Sequence, residues 1–314
     1  MSEIHYRYLF GPVASRRIGS SLGVDLVPPK TCTYNCVYCE VGRTNVLSLE
    51  RRDWSPASDI MAELESRLSD NLKIDYITFT GSGEPTLHSR LGELISWTKD
   101  KWPHKIAVLT NGSLLWREDV RRDLERADLV VPTVSAGSDA TWQKLHRPVK
   151  GLDFLTVSKG IADYFHLRKG VWAEILLVAG VNDSAFEMQA IAEFVKGLNA
   201  EKVQVHTVAR PPAEDWAKPV RMETLQRMAD MIGPVCDVVP PAAPPCEGKK
   251  KAGAEEVLAL LSRRPCTVSD IAAGLDISLI DAEIAVDGLL RRGAIIRRMQ
   301  GQQMFFMGAN IPKT

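Results

Sequence analysis

The sequence carries no excess of charge of either sign: 39 Lys and Arg balance 39 Asp and Glu over 314 residues, and charged residues make up 25%. That excludes the strongly basic footprint of a dedicated nucleic-acid coat and is the ordinary proportion for a globular chain. No apolar run approaches the ~20 residues that span a bilayer, so no membrane segment is expected. The first residues, MSEIHYRYLFGP, lack the basic stretch and apolar core of a secretory leader. A disulfide framework is also missing. Three of the six cysteines crowd into eight residues, and a chain of this size needs no staples to fold. A reducing cytoplasm is the expected location. No internal repeat of about 20–50 residues stands out beyond the βα period described next.

Short β-branched runs alternate with helical periods from about residue 23 to 239. The expected strands are 23–27, 75–80, 105–110, 129–134, 171–178 and 202–208. Between them lie amphipathic stretches such as 57–68, with Ile60, Met61, Leu64 and Leu68 on one face, and 185–198, with Phe186, Ile191, Phe194, Val195 and Leu198. Parallel strands joined this way bury both faces, and right-handed crossovers curl them toward a barrel. Six repeats are fewer than a closed barrel needs. The expected fold class is therefore α/β, a partial (β/α)6 barrel of the TIM type over residues 1–239.

Val239-Pro240-Pro241-Ala242-Ala243-Pro244-Pro245 breaks that pattern, because its prolines continue neither a helix nor a central strand. With Lys249-Lys250-Lys251 it reads as a linker over 240–253. Residues 254–314 follow a different grammar: a helix over 254–262, a short one begun by Thr267, and an amphipathic helix over 279–291. Two strands, 294–299 and 303–307, then turn at Gly301. That order is the order of a winged helix-turn-helix domain.

The chemistry-bearing segment is Thr31-Cys32-Thr33-Tyr34-Asn35-Cys36-Val37-Tyr38-Cys39-Glu40. Spacings this short let one loop wrap a small inorganic core. Three thiolates are one short of the four that fill a structural iron–sulfur or zinc site, which leaves a metal position open to a ligand. Two plainer readings are a structural zinc loop and an electron-transfer cluster completed from elsewhere. Against zinc, no second Cys pair or His pair has the required spacing. Cys236, Cys246 and Cys266 are widely separated, which argues against an auxiliary cluster, and Cys236, in a strand-like apolar run, and Cys266 read as small hydrophobes.

Cys32, Cys36 and Cys39, with Tyr38 before the third, resemble the signature of the radical S-adenosylmethionine (SAM) superfamily. Further segments support the resemblance. Gly81-Ser82-Gly83-Glu84-Pro85 is similar to the family's Gly-Gly-Glu-Pro segment, with Ser82 in place of the more usual Gly. Leu109-Thr110-Asn111-Gly112, Ser135 and the segment from Val178 to Asp183 close successive strands, as does His206, and functional loops gather at that end of α/β barrels. The resemblance covers about residues 5–212. It implies a [4Fe–4S] cluster on the three cysteines, with SAM contacted by Tyr38, Gly81, Ser82, Gly83, Glu84, Asn111, Ser135 and Val178. Reductive cleavage of SAM would give a 5′-deoxyadenosyl radical that takes hydrogen from substrate, with the electron from a flavodoxin- or ferredoxin-type partner.

Residues 11–17, then Ser21-Leu22-Gly23-Val24-Asp25, and Arg210-Pro211-Pro212, resemble a largely uncharacterised subgroup related to the wyosine-forming tRNA enzymes, some of which carry a C-terminal winged helix. The second N-terminal cysteine triad of those enzymes is absent. His206, Arg210, Arg16 and Arg17 are substrate candidates, the arginines being either salt-bridge partners or contacts to an anionic substrate. A winged helix allows peptide, protein or RNA substrates, docking on the barrel, or dimerisation. The competing class is an iron–sulfur redox sensor that binds DNA. From Cys246 onward, however, ten Lys and Arg oppose eight Asp and Glu, and Asp281 and Glu283 open the helix that would enter a groove. DNA is the less favoured partner.

Overall fold

The computed structural model describes residues 6–69, 72–240 and 253–309. In chain order these form β1 (Leu9–Ser15), β2 (Gly19–Val24), β3 (Thr31–Cys32), β4 (Val46–Leu47), α1 (Ala57–Leu68), β5 (Tyr76–Phe79), α2 (Leu91–Lys101) and β6 (Lys105–Thr110). Next come α3 (Glu118–Asp123), β7 (Leu129–Pro132), α4 (Asp139–His146), α5 (Phe154–Leu167), β8 (Trp172–Leu177), α6 (Ala185–Gly197), β9 (Lys202–Thr207), α7 (Met222–Ile232) and β10 (Cys236–Val238). The C-terminal elements are α8 (Ala254–Leu261), α9 (Val268–Leu275), α10 (Leu279–Arg291), β11 (Ile295–Gln300) and β12 (Gln303–Gly308).

Strands β5 to β9 overlap five of the expected runs, and their composition explains why they are central. Leu129–Pro132 is buried at all four positions, and Tyr76–Phe79 at three of four, as parallel strands covered on both faces must be. Neighbours β2, β5, β6 and β7 pair in parallel, as do β8, β9 and β10. Between the two groups, parallel bridges Val130↔Val171 and Thr133↔Glu174 link β7 to β8. Helices begin where side chains can take their free amides: Ser138 caps α4, Asp153 caps α5 and Ser184 caps α6. The result is a mixed α/β sheet, consistent with a partial barrel, whose helices share one continuous apolar core with the strands.

Two features differ from expectation. The first parallel strand is Gly19–Val24, earlier than 23–27, because Leu9–Ser15 pairs antiparallel with it and fixes its register. Gly11 and Pro12 hid that edge strand, since both are poor strand formers; the ladder shifts register between Phe10 and Val13. Cys236–Val238, in a strand-like apolar run outside the six expected strands, adds a further parallel strand beside β9.

Helices α8 to α10 and the antiparallel β11–β12 pair enclose a second apolar core, which also takes in Val13 of β1. Cys266 is buried in it and exchanges both backbone hydrogen bonds with Phe306. The C-terminal elements thus sit against the edge hairpin. The Arg263 guanidinium lies 4.9 Å from the Phe10 ring centroid, and Arg298 reaches Asp215 at 2.5 Å. Most of the expected linker, with Cys246 and Lys249 to Lys251, lies outside the described residues. Among the described residues no helix is long and apolar enough to cross a membrane.

Candidate functional site

The cysteine loop leaves the sheet end at β3 and is closed by β4, which pairs Thr31 with Val46 and Cys32 with Leu47. Its inner turn is fastened to the end of α4: the amides of Asn35 and Val37 donate to the carbonyls of His146 and Leu145 at 2.9 and 3.0 Å. Tyr34 anchors the loop from within. Its ring stacks on His146 at 4.9 Å and meets Trp142 edge-on, and its hydroxyl accepts from Trp142 Nε1 at 3.2 Å. The loop shape is therefore set by the protein's own bonds.

All three thiols are free and partly buried. Burial pushes each of them up, Cys32 to about 12, and at Cys36 the neighbouring Cys32 and Cys39 add to the effect. Three thiolates this close are supported only with a compensating cationic centre, so the set suits iron chemistry. Among the described residues no three His, Cys, Asp or Glu side chains are placed around one metal ion. Cluster ligands each bind a separate iron, so they stand further apart than the ligands of one ion. His146, 110 positions from Cys36, brings Nδ1 to 3.3 Å from both Cys36 Sγ and the Tyr38 hydroxyl, and burial lowers its pKa to about 3. Nothing in its spacing marks it in the sequence.

The loops after β5 and β6 are stapled to this cysteine loop. The Lys30 amide donates to Ser82 O at 2.7 Å and the Glu84 amide to Thr31 O at 3.0 Å. Ser82 is turned inward, its amide and hydroxyl both donating to buried Asp25. Glu84 accepts from the Thr86 amide and hydroxyl, the Thr110 hydroxyl and the Asn111 amide. Asn111 passes the connection on: its side-chain amide donates to Thr33 Oγ1 at 2.8 Å and approaches Cys32 Sγ at 3.4 Å.

The glycines are required by this closeness. A Cβ on Gly81, whose φ is +138°, would stand 2.4 Å from the Asp25 carboxyl carbon, and one on Gly83 would stand 2.1 Å from Thr31 O. Gly83→Ala therefore pushes on the backbone that carries Cys32. It is expected to cost about 3 kcal/mol, read as a lowered urea midpoint at unchanged slope.

Tyr38, Gly81, His206, Arg16, Arg17 and Arg210 line one cavity of about 280 Å3 beside the cysteine loop. Ser135 and Val178 do not join it. The Ser135 hydroxyl accepts from the Leu176 amide at 2.9 Å, and Asn182 ties together Ser135 O and the Val178 amide. Two cavity residues that the sequence did not single out are Arg263 and Arg264, which follow α8.

Arg17 pairs with Glu174, whose carboxylate also stands 3.3 Å from His206 Nε2. Burial pushes the Glu174 carboxyl up, but Arg17 and then His206 outweigh it and hold it well below the usual carboxylate range. A carboxyl depressed in the folded state adds stability above its unfolded pKa, near ~4.3, and loses that contribution as pH falls toward its folded value. Glu174→Gln is expected to cost about 2 kcal/mol at pH 7, less than a fully buried pair because Arg17 reaches solvent. The gap from wild type should narrow below about pH 4 in urea titrations.

A cysteine loop at a strand end, stapled to the next two strand-end loops beside a cavity, defines a class, and the comparisons agree with it. Residues 26–191 match the family model described as the radical SAM superfamily, and the chain belongs to that superfamily. It is 33% identical over 309 residues, 95% of either chain, to an UPF0026 protein of Methanocaldococcus jannaschii. It is also 35% identical over 296 residues to a protein of Brachyspira hyodysenteriae named GTPase Obg; the match takes in 93% of this chain but only 43% of that relative's length. Among solved structures, TYW1 with a lysine-pyruvate adduct superposes with a TM-score of 0.52 at 16% identity, over 71% of this chain and 75% of that one, a likeness of fold. The protein is a radical SAM enzyme, and the superfamily's cofactors are a [4Fe–4S] cluster and SAM.

Proposed function

We propose that Cys32, Cys36 and Cys39 hold the cluster and that SAM lies between it and the cavity lined by Tyr38 and Gly81. The observation that carries this reading is the hydrogen-bonded assembly of the three loops. Glu84 joins 84–86 to 110–111, Asn111 meets Thr33 and Cys32, and Lys30 meets Ser82. Held by Cys32, Cys36 and Cys39, a reduced cluster would supply the electron for cleavage of SAM and so the radical that would take hydrogen from the substrate.

The chain's own residues do the remaining work. Gly81 and Gly83 let their loop lie directly against Asp25 and Thr31, with no side chain in the way. Glu84, with donors on both oxygens, positions the loops. Ser82, Ser135 and Val178 act as positioning residues in the same sense, while Tyr38 and the backbone at 81–83 remain as contacts. Neutral His146 keeps Tyr38 and the Cys36 loop in register.

We assign residues 254–309 to a winged helix-turn-helix unit, with the preceding unit ending near 239. Three helices precede a two-stranded ribbon turning at Gly301, and the Thr267 capping box begins its second helix. The outward side of α10 carries Leu279, Ile280 and Ile284, all more than half exposed, among Asp281, Glu283 and Asp287. That face suits a protein better than a phosphate backbone, which argues against the redox-regulated DNA-binding alternative. A flavodoxin- or ferredoxin-type protein is the proposed reductant.

Anaerobic reconstitution followed by dithionite reduction tests the reading. Near four irons per chain and 5′-deoxyadenosine in the presence of SAM are expected. DNA retardation without SAM cleavage would replace the proposed function with the regulator.

A further inference from the structure

Five guanidinium groups, those of Arg16, Arg17, Arg210, Arg263 and Arg264, line the 280 Å3 cavity, and Glu40 is the one carboxylate among its described lining residues. Such a density of like charge is unfavourable unless it is matched. Four of the five have partners inside the protein: Arg16 donates to Pro240 O at 3.0 Å, Arg17 pairs with Glu174, Arg210 with both oxygens of Glu40 at 3.1 Å and with Asp270 at 3.7 Å, and Arg263 with Asp25 at 3.6 Å. Arg264 forms no ion pair among the described residues, and its Nε is buried without a hydrogen-bond partner. The Nε of Arg210 is likewise buried without a hydrogen-bond partner, and Arg210 is only 4% exposed, whereas the Nε of Arg263 faces Asp25. The excess is felt by a neighbour: burial, and then the charge of Arg210, lower the Arg16 pKa to about 10.

We propose that this cavity holds an oxyanion of the substrate, a phosphate or a carboxylate, on Arg264 together with Arg210. The C-terminal unit, which contributes Arg263 and Arg264, is then part of the substrate site as well as a docked appendage. Planar guanidinium forks bind both kinds of oxyanion in paired, charge-assisted hydrogen bonds, and an anion supplies the acceptors that the buried Nε groups lack. Glu40 also lines a second cleft, of about 490 Å3, between Pro212 and the β11–β12 ribbon, so the body of a larger substrate has a path between the two units.

The inference rests on the reading of the cavity as the place where SAM and substrate meet, and its test is separate from SAM cleavage. Anaerobically reconstituted full-length protein is dialysed against radiolabelled inorganic phosphate, with acetate as competitor, with and without saturating SAM. Wild type is expected to take up phosphate saturably, one per chain, with SAM leaving the uptake intact. Arg264→Gln should weaken it about tenfold or more, Arg264→Lys less, and Arg126→Gln, at a surface ion pair far from the cavity, not at all. Stronger competition by acetate than by unlabelled phosphate would identify the oxyanion as a carboxylate within the same proposal. Equal binding by Arg264→Gln with an unchanged melting temperature, or no saturable uptake of either anion, would overturn it. Displacement by SAM would also overturn it, since the arginines would then serve the cofactor's own carboxylate. SAM cleavage retained in a protein that binds neither anion would leave the proposed function standing and remove this inference alone.

Discussion

Cys36→Ala is expected to abolish 5′-deoxyadenosine formation and to leave the reconstituted protein with well under four irons per chain. Cys36 is the central thiol of the three. It is partly buried between the other two thiols, and Cys32 and Cys39 on one loop cannot enclose a cluster without it. The loop itself should survive, because Tyr34, Asn35 and Val37 hold it to α4 without help from the thiol. A variant that melts like apo wild type yet binds no cluster would separate a ligand from a structural cysteine. Iron-dependent absorption together with product chromatography makes the measurement. Undiminished SAM cleavage by this variant would overturn the assignment of the three cysteines.

Glu84→Ala is expected to destabilise the fold by about 4 kcal/mol, more than any other polar substitution considered, because it strands four donors at once. The amides of Thr86 and Asn111 and the hydroxyls of Thr86 and Thr110 all converge on its two oxygens, and the residue is 2% exposed. An orphaned buried donor costs roughly 1–3 kcal/mol, with the two hydroxyls able to turn elsewhere and the two amides not. Glu84→Gln should recover only part of the loss, since its side-chain NH2 faces donors where the carboxylate had an acceptor. Urea unfolding of the protein without cofactor is the appropriate measurement. A residue that served only as a SAM contact would leave that midpoint unchanged and alter SAM affinity alone.

These two residues mark how far the sequence can be read. Cys36 is legible because three thiols in eight residues have few other uses, and a loop of that length brings them together in almost any fold. Glu84 is legible as part of a motif that suggests a cofactor contact, and only the tertiary structure shows the four donors of the chain that meet its two oxygens. The same holds for Ser135 and Val178, whose strand-end positions are as expected but whose bonds run to Leu176 and Asn182. His146 escapes the sequence altogether. Its partner lies 110 positions away, and a lone histidine at a helix end carries no local signal.

Short-range physics accounts for what the sequence determined by itself: the α/β class, from apolar runs alternating with amphipathic helices; the membership, from the cysteine spacing; and the order of C-terminal elements, from caps and a turn. Each depends on neighbours within a few residues. Long-range packing alone decided the rest. The antiparallel edge strand formed because Gly11 and Pro12 are tolerated where one side of the sheet is free. Arg263 and Arg264, unremarkable at the end of a helix, entered the cavity because the C-terminal core closes over Val13 of β1. The cysteines could be read from spacing, but the cationic cavity beside them could not, since its five arginines come from sequence segments up to 248 residues apart and meet only when the second core is docked on the first.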